Sequence, residues 1–307
     1  MSNCGYRGRF APSPTGPLHF GSLVAAVGSY LQAKQARGQW LVRIEDLDPP
    51  RTVSGSADLI LRTLEAFGFE WDEAVRFQSH RFADYEHALQ KLTQGNLCYP
   101  CSCTRSELQA LAATPAENGD ELRYPGRCRA GPLHAEGPFA WRLRVSDESV
   151  CFDDRLQGLH CLNLETSIGD FVVKRRDGWY AYQLAVVVDD ADQHISEVVR
   201  GADLLLNTPR QIALQRALGL PTPNYVHLPL VTDAAGRKLA KSTAATAVEA
   251  NLATQTLWRV LSFLRQQPPD ELQRASLSVL WNWAIEHWQI DVLRNLRELK
   301  LSETDDP

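Results

Sequence analysis

The feature that most constrains the fold is a short, rigid turn near the start of the chain. Pro12, Pro14, Gly16 and Pro17 forbid regular secondary structure across it. A strand-like lead, Tyr6–Phe10, precedes the turn, and apolar residues at helical spacing follow from about Pro17. The segment therefore predicts a strand, a turn and the N-terminus of a helix. The free backbone N–H groups of such a terminus suit a phosphate.

Two residues at the start of the predicted helix favour nucleotide binding. His19 can donate a hydrogen bond to a phosphoryl oxygen. Gly21 would let a large flat group approach the backbone closely. The alternative is a proline-rich surface turn that merely precedes an amphipathic helix.

Composition sets outer limits on function. The 307 residues allow roughly two domains, and the formal net charge of −5 argues against a nonspecific nucleic-acid coat. No secretory signal and no membrane-length apolar stretch is visible. We expect a cytoplasmic protein without membrane contact, in which the seven cysteines serve as metal ligands and spectators and form no disulfide framework.

A second candidate site element is the strand Trp40–Ile44, which runs directly into Glu45. Open α/β sheets bind ligands at the carboxyl ends of their strands, so the carboxylate of Glu45 could hold the ammonium group of an amino acid. The alternative is an acidic loop that caps the next helix. Further helical patterns alternate with strands and predict a parallel sheet with crossover helices.

The next segment contains a cysteine cluster with metal-ligand spacing. Cys98, Cys101, Cys103 and Cys128 could provide four thiolates for a tetrahedral zinc ion, and His134 is a further candidate. The alternative is a set of buried, unliganded cysteines.

The second half of the chain carries a long apolar run and an arginine at strand ends. Residues 181–188 read as a strand buried on both faces, in which Tyr182 would be a core residue. Arg200 follows a second strand, and its planar guanidinium can grip a carboxylate with two hydrogen bonds. Arg9 could do the same, although Arg200 could instead form a structural salt bridge.

The remaining elements are a helix over Asn207–Gly219, a strand over Tyr225–Val231 and a lysine-rich loop. The loop contains Lys238, Lys241 and Ser242, and alone it would be a solvated turn. From Ala244 the pattern is helical to the end.

Taken together, these segments resemble the class I aminoacyl-tRNA synthetases. Thr15–Ser22 resembles their HIGH motif, and residues 236–242 resemble their KMSKS motif with Leu239 and Ala240 in place of Met and Ser. Arg43–Arg51 and Tyr182–Asp190 are similar to blocks of the glutamyl branch. The resemblance implies an α/β, Rossmann-like class I synthetase catalytic domain with a zinc-containing insertion and a short helical C-terminal region.

The resemblance also implies roles for individual residues. Those matching glutamate-binding positions are Arg9, Phe10, Ala11, Pro12, Ser13, Glu45, Tyr182 and Arg200. Those matching ATP-binding positions are His19, Gly21, Lys241 and Ser242, with His19, Lys238 and Lys241 as the catalytic set. Mg²⁺ would accompany ATP.

Within this family, the chain is most similar to the glutamyl-queuosine tRNA(Asp) synthetases. Their zinc ligands correspond to Cys101, Cys103, Tyr124 and Cys128, which would make Cys98 a core neighbour. Too few residues follow Ser242 for the anticodon-reading region of a full glutamyl-tRNA synthetase. We therefore expect a monomeric enzyme that activates L-glutamate with ATP and transfers it to the queuosine of tRNA(Asp). The alternatives are a compact enzyme that charges the 3′ end of a tRNA and a non-catalytic binding paralogue.

The expected domain division follows the same resemblance. The catalytic domain would comprise residues 1–97 and 171–243, interrupted by the zinc-containing insertion, residues 98–170. Residues 244–307 would form the helical C-terminal region.

Overall fold

The computed structural model describes residues 5–111, 123–233, 236–237 and 247–301. The predicted Lys238, Lys241 and Ser242 therefore lie outside the described residues. No helix in the described part of the chain has both the length and the apolar composition needed to cross a bilayer.

Strands and helices alternate through the first half of the chain and again after residue 170. The strands are β1 Arg7–Phe10, β2 Gln39–Ile44, β3 Arg76–Phe77, β4 Cys98–Cys101, β5 Ala140–Leu143, β6 Ser149–Asp154, β7 Gly158–Asn163, β8 Phe171–Lys174, β9 Glu197–Gly201, β10 Asn224–Leu228, β11 Leu230–Thr232 and β12 Glu298–Lys300. The helices are α1 Phe20–Gln35, α2 Ser56–Ala66, α3 Phe82–Gln94, α4 Arg105–Leu111, α5 Leu164–Ser167, α6 Tyr182–Asp192, α7 Thr208–Leu218, α8 Ala253–Phe263 and α9 Leu277–His287.

The central layer is built from two sheets that lie side by side. Parallel strands form the order β1-β2-β3, and the second sheet has the order β7-β6-β10-β9. The N–H of Ser196 donates to the carbonyl of Arg7 at 2.9 Å, so β9 begins beside β1. Because β1 and β9 belong to different halves of the chain, the strand order reverses between them. A crevice at the carboxyl ends of the strands is expected at such a reversal.

Two apolar clusters cover the faces of this layer. One packs α1, α8 and α9 against residues of β1, β2 and β10. The other packs α3, α6 and α7 against residues of β2, β6, β9 and β10. Helix α1 approaches β10 closely: a Cβ atom on Gly28 would lie 2.5 Å from Leu228 Cδ1. A small residue at Gly28 is therefore required to seat the helix against the strand.

The predicted zinc-containing segment contributes to more than one sheet. Strands β4, β5 and β8 form a separate antiparallel sheet. Strands β6 and β7 form a hairpin, and β6 joins the central layer because Asp154 pairs with Tyr225 of β10.

Three sequence-based expectations are wrong in the structure. Residues 181–188 do not form a strand but lie mostly in helix α6, which is buried on nearly all sides. An apolar run of this kind does not distinguish a buried strand from a buried helix. The C-terminal region is not helical throughout, because β12 pairs with β11. The predicted strand over Tyr225–Val231 is divided at Pro229 into β10 and β11.

The cysteine prediction also needs a correction. Cys151 and Cys161 form a disulfide, since they lie opposite each other in the β6–β7 hairpin with their Cα atoms 4.1 Å apart. Their spacing in the sequence does not reveal this register, so the expectation that the cysteines are only metal ligands and spectators is wrong for this pair. Cys98, Cys101, Cys103 and Cys128 are free and buried.

Candidate active site

A cleft of about 690 Å³ opens at the carboxyl ends of β1, β2 and β9. It brings together all the predicted substrate-binding residues that the structure describes. They are Arg9, Phe10, Ala11, Pro12, Ser13, His19, Gly21, Glu45, Tyr182 and Arg200.

Hydrogen bonds to neighbouring segments hold the proline-rich turn in place. The N–H of Glu45 donates to the carbonyl of Pro12 at 3.0 Å, and that of Val53 donates to the carbonyl of Pro14 at 2.9 Å. The Ser56 hydroxyl bonds both the N–H and the carbonyl of Gly16. These contacts fix the path of the turn, so the N-terminus of α1 faces the cleft in a defined orientation.

His19 is the N-cap of α1. Its Nδ1 accepts a hydrogen bond from the Ser22 N–H at 3.2 Å, while Nε2 lies 3.1 Å from the Ser22 hydroxyl. Because Nδ1 accepts, the proton of a neutral ring resides on Nε2. That N–H is a donor beside the free backbone N–H groups of the helix, an arrangement that favours an anion.

The described residues on either side of the lysine-bearing segment lie close to this helix terminus. Val231, shortly before the segment, lines the cleft. Beyond the segment, Ala247 pairs with His19 in an isolated β-bridge, and the N–H of Val248 donates to the carbonyl of Leu18 at 3.0 Å.

The floor of the cleft is a network of buried charges. Arg9 Nε lies 3.1 Å from Asp190 Oδ1, and Arg43 NH1 lies 2.8 Å from the same oxygen. Arg43 also contacts Glu45 at 3.2 Å. Burial alone would raise the pKa of Asp190, but the two arginines outweigh it and hold the pKa below its usual range. Asp190 thus stays ionised and fixes Arg9 in place.

Glu45 is less well compensated than Asp190. Burial raises its pKa above the ordinary value despite the nearby Arg43 and Arg9. Its Oε1 accepts from Arg43, whereas Oε2 accepts no hydrogen bond from the described residues. A cation placed against Oε2 would stabilise the ionised form, so the position suits an ammonium group.

Arg200 is held by groups without formal charge. Its guanidinium donates to His227 Nε2 at 3.0 Å, to Thr208 Oγ1 at 2.8 Å and to the Tyr182 hydroxyl oxygen at 3.4 Å. Within the described residues it has no carboxylate partner, so the structural salt bridge considered above is not observed there. Its charge is available to an anion in the cleft.

Sequence reasoning missed the pair behind Arg200. His227 Nδ1 lies 2.6 Å from Asp154 Oδ2, and both side chains are fully buried. Burial, together with the charge of Arg200, outweighs the opposing effect of Asp154 and lowers the pKa of His227 to about 4. His227 was visible only as one position of a predicted strand, and nothing in the sequence connects it to Asp154. Arg43 and Asp190 were likewise not assigned roles.

The pKa of His227 makes stability depend on pH. Between pH 6.5 and 4 the unfolded chain binds a proton at this residue that the folded chain excludes, so acidification destabilises the fold by up to about 3 kcal/mol. Chemical denaturation measured across this range should show stability falling with pH, and His227→Gln should flatten the slope. His87→Gln, at an exposed position, is the matched control. Equal slopes in wild type and His227→Gln would contradict the assignment.

The cysteine cluster forms a second site, away from the cleft. The sulfur atoms of Cys101, Cys103 and Cys128 all lie within 4.8 Å of one another. The Tyr124 hydroxyl lies 3.4 Å from Cys101 Sγ and 3.8 Å from Cys103 Sγ. Cys98 instead packs in the apolar cluster beneath the central layer. The four-thiolate set is therefore wrong in this structure, and the three cysteines could hold a metal ion.

Electrostatics within the cluster favour a thiolate. Burial raises the pKa of Cys128, but hydrogen bonds from the Leu133 N–H, Tyr124 and Ser102 outweigh it and bring the pKa to about 6. By contrast, burial raises the pKa of Cys103 to about 12. His134 is exposed and bonds Glu107 at 3.0 Å, and it is not among the clustered ligands.

Tyr124 is held in the cluster by its neighbours. It pairs with Gly169, which has a φ of 74° and whose Cβ, if present, would lie 2.1 Å from the Tyr124 carbonyl oxygen. On the other side, the Arg142 guanidinium stacks on the Tyr124 ring at 3.8 Å. These contacts aim the phenol at the three sulfurs.

Three further basic side chains are paired with carboxylates of the protein. Arg129 pairs with Asp170 at 2.6 Å, Lys174 with Glu86 at 2.8 Å, and Arg175 with Asp48 at 3.2 Å.

The model of the family described as class I tRNA synthetases (E and Q), catalytic domain, matches residues 6–262. A glutamyl-Q tRNA(Asp) synthetase of Dechloromonas aromatica is 56% identical over 291 residues, which cover 95% of this chain and 96% of that protein. One from Chromobacterium violaceum is 53% identical over 290 residues, covering 94% and 96%.

A solved structure shares the fold along nearly the whole chain. It is a glutamate tRNA ligase from Elizabethkingia meningosepticum, in complex with its amino acid. It superposes with a TM-score of 0.80 at 26% identity, covering 98% of this chain and 68% of that one. The chain therefore belongs to the class I tRNA synthetases of the glutamyl and glutaminyl branch.

Proposed function

We propose that this enzyme activates L-glutamate with ATP and transfers it to the queuosine base in the anticodon loop of tRNA(Asp). The observation that carries the proposal is the near full-length match to glutamyl-Q tRNA(Asp) synthetases. The cleft supports it chemically, because its residues complement every charged group of glutamate. Because the proposed substrates are ATP, glutamate and tRNA(Asp), the reaction would take place in the cytoplasm.

Glutamate would bind with its two carboxylates and its ammonium separately recognised. Arg200 offers an uncompensated guanidinium for one carboxylate, assisted by the Tyr182 hydroxyl. Arg9 lies across the cleft for the other carboxylate, and Glu45 Oε2 is open to the ammonium. The fixed turn, Phe10–Ser13, forms the wall that orients the substrate.

ATP would bind over the N-terminus of α1. Gly21 leaves room beside the backbone, because a Cβ there would lie 3.3 Å from the His19 ring and would crowd it. His19 would donate to a phosphate oxygen. Lys238, Lys241 and Ser242, from the segment that the structure does not describe, would neutralise the triphosphate together with the Mg²⁺ that accompanies ATP.

The proposed reaction has two steps. An α-carboxylate oxygen of glutamate attacks the α-phosphorus of ATP, and the bond to the bridging oxygen breaks to release pyrophosphate. A queuosine hydroxyl then attacks the acyl carbon of the adenylate, loses its proton and displaces AMP. The protein would act mainly by positioning the reactants and stabilising developing charge.

The cysteine cluster would hold zinc. Three thiols and a phenol converge, and a thiol-rich donor set of this size suits Zn²⁺ in tetrahedral coordination. Cys101, Cys103, Tyr124 and Cys128 would fill all four positions and leave none for water, so the ion would serve structure and not catalysis.

Ligand variants test this zinc site. Purified protein should contain about one zinc ion per chain, and Cys101→Ser or Cys128→Ser should reduce the metal content severalfold and lower the melting temperature. Cys98→Ser is the matched control, since that thiol packs elsewhere. Tyr124→Phe removes only the phenol oxygen and should weaken zinc retention against a chelator. Full retention by Tyr124→Phe would remove tyrosine from the ligand set.

Activation is tested by glutamate-dependent exchange of labelled pyrophosphate into ATP, first without tRNA and then with it. Exchange with glutamate but not glutamine supports the proposed site. Absence of exchange under both conditions would indicate a non-catalytic binding protein. The likeness to glutamate tRNA ligases makes 3′-end charging the other outcome to examine. Nuclease digestion of the labelled tRNA separates the two outcomes, because it shows whether the label lies on the 3′-terminal nucleotide or in the anticodon loop.

A further inference from the structure

Arg200 has an unusual set of hydrogen-bond partners for a buried arginine. It is 5% exposed, yet its described contacts are a histidine, a threonine hydroxyl, a tyrosine hydroxyl and the Leu204 carbonyl. Arg9, on the other side of the cleft, is instead held by the carboxylate of Asp190. The two arginines therefore present different net charges to a bound anion.

The tautomer of His227 follows from its neighbours. An arginine nitrogen can only donate, so the Nε2 of His227, 3.0 Å from Arg200 Nε, must be an acceptor. The ring proton then resides on Nδ1 and is donated to Asp154 Oδ2 at 2.6 Å.

Asp154 is itself immobilised. Its Oδ1 accepts backbone N–H groups from Leu156 at 3.1 Å, Gln157 at 2.9 Å and His227 at 3.2 Å. With one oxygen occupied by three donors, the other is aimed at the imidazole. The chain of contacts runs from the β6–β7 turn through Asp154 and His227 to Arg200.

We infer that Asp154 and His227 are positioning residues, which hold the Arg200 guanidinium through a neutral acceptor and so leave its charge for the carboxylate of the substrate. A carboxylate in the place of His227 would hold Arg200 equally well but would neutralise it. The arrangement thereby favours an anionic side chain over the neutral amide of glutamine. This inference rests on the proposed function, in which Arg200 binds glutamate.

Asp154→Asn is the sharpest test, because it keeps the shape and reverses one hydrogen bond. The amide oxygen of the asparagine would keep the three backbone N–H donors. Its NH₂ group would then face His227 Nδ1, which would have to act as an acceptor. The ring proton would move to Nε2, where it would face the Arg200 N–H. Two donors cannot form a hydrogen bond, so this contact would be lost. A wrong tautomer produced by this same Asp-to-Asn change disables the histidine of serine proteases.

Glutamate affinity measured by calorimetry should fall roughly 10- to 100-fold in Asp154→Asn, while ATP affinity stays within about threefold. In exchange assays the glutamate KM should rise with little change in kcat, which is the pattern of lost ground-state binding. The single substitution His227→Gln should instead retain near wild-type affinity. The amide oxygen of the glutamine can accept from Arg200 while its NH₂ donates to Asp154. His160→Gln is the control, because that histidine does not contact Arg200.

Three outcomes decide the matter. Equal glutamate affinity in wild type and Asp154→Asn, with both folded, would overturn the inference and leave the proposed function standing. A wild type that binds no glutamate would instead overturn the proposed function and the inference with it. If circular dichroism shows that Asp154→Asn is unfolded, His227→Gln is compared with His227→Met, whose side chain has no comparable acceptor. Equal glutamate affinities of these two variants would overturn the inference.

Discussion

Replacing Arg200 by alanine is expected to raise the glutamate KM by roughly 30-fold to several thousandfold. Removing one partner of a buried charge pair costs about 2–5 kcal/mol, much of it because the other charge is left unpaired, and each 1.4 kcal/mol is tenfold. The described contacts of Arg200 are uncharged, so no carboxylate of the protein would become unpaired. The ATP KM should therefore stay near its wild-type value.

Arg200→Lys provides the matched comparison. It retains the positive charge but not the planar fork, so its glutamate KM should lie between those of wild type and alanine. Steady-state pyrophosphate exchange at varied glutamate gives all three values. An alanine variant with an unchanged glutamate KM would show that the carboxylate binds elsewhere.

Replacing His19 by alanine is expected to lower kcat for pyrophosphate exchange roughly 100- to 1,000-fold. Loss of one preorganised donor at a developing negative charge has an effect of that order. The variant also loses the N-cap that accepts the Ser22 N–H, so stability should fall by about 1 kcal/mol.

His19→Asn separates the two effects. Asparagine is a favoured N-cap, so the stability of α1 should be retained, while its shorter amide should not reach the phosphate. Thermal unfolding and exchange rates are measured on the same preparations. Wild-type exchange in the asparagine variant would mean that His19 acts only as a cap.

Local sequence signals were sufficient to predict the element that carries His19. The prolines of the turn and the helical spacing behind them predict strand, turn and helix, and the structure places His19 at the N-cap of α1. Glu45 directly follows β2, and Arg200 lies near the C-terminal end of β9, so the position of each at a strand end pointed to the cleft.

Features that depend on tertiary contacts were missed. The run at residues 181–188 has no periodicity that separates strand from helix, and only packing between α3 and α7 makes it helix α6. The register that opposes Cys151 to Cys161, and the approach of Asp154 to His227, join residues whose spacing carries no signal. Tyr124 was assigned to the zinc site only through family resemblance.

The most direct test of the central claim is transfer of labelled glutamate to tRNA in the presence of ATP and Mg²⁺. Three substrates are compared: tRNA(Asp) with queuosine, the same tRNA without it, and tRNA(Glu). We predict label on queuosine-bearing tRNA(Asp) alone, confined after nuclease digestion to the anticodon-loop fragment. Label on the 3′-terminal nucleotide of tRNA(Glu) would contradict the account and make this protein a compact charging enzyme.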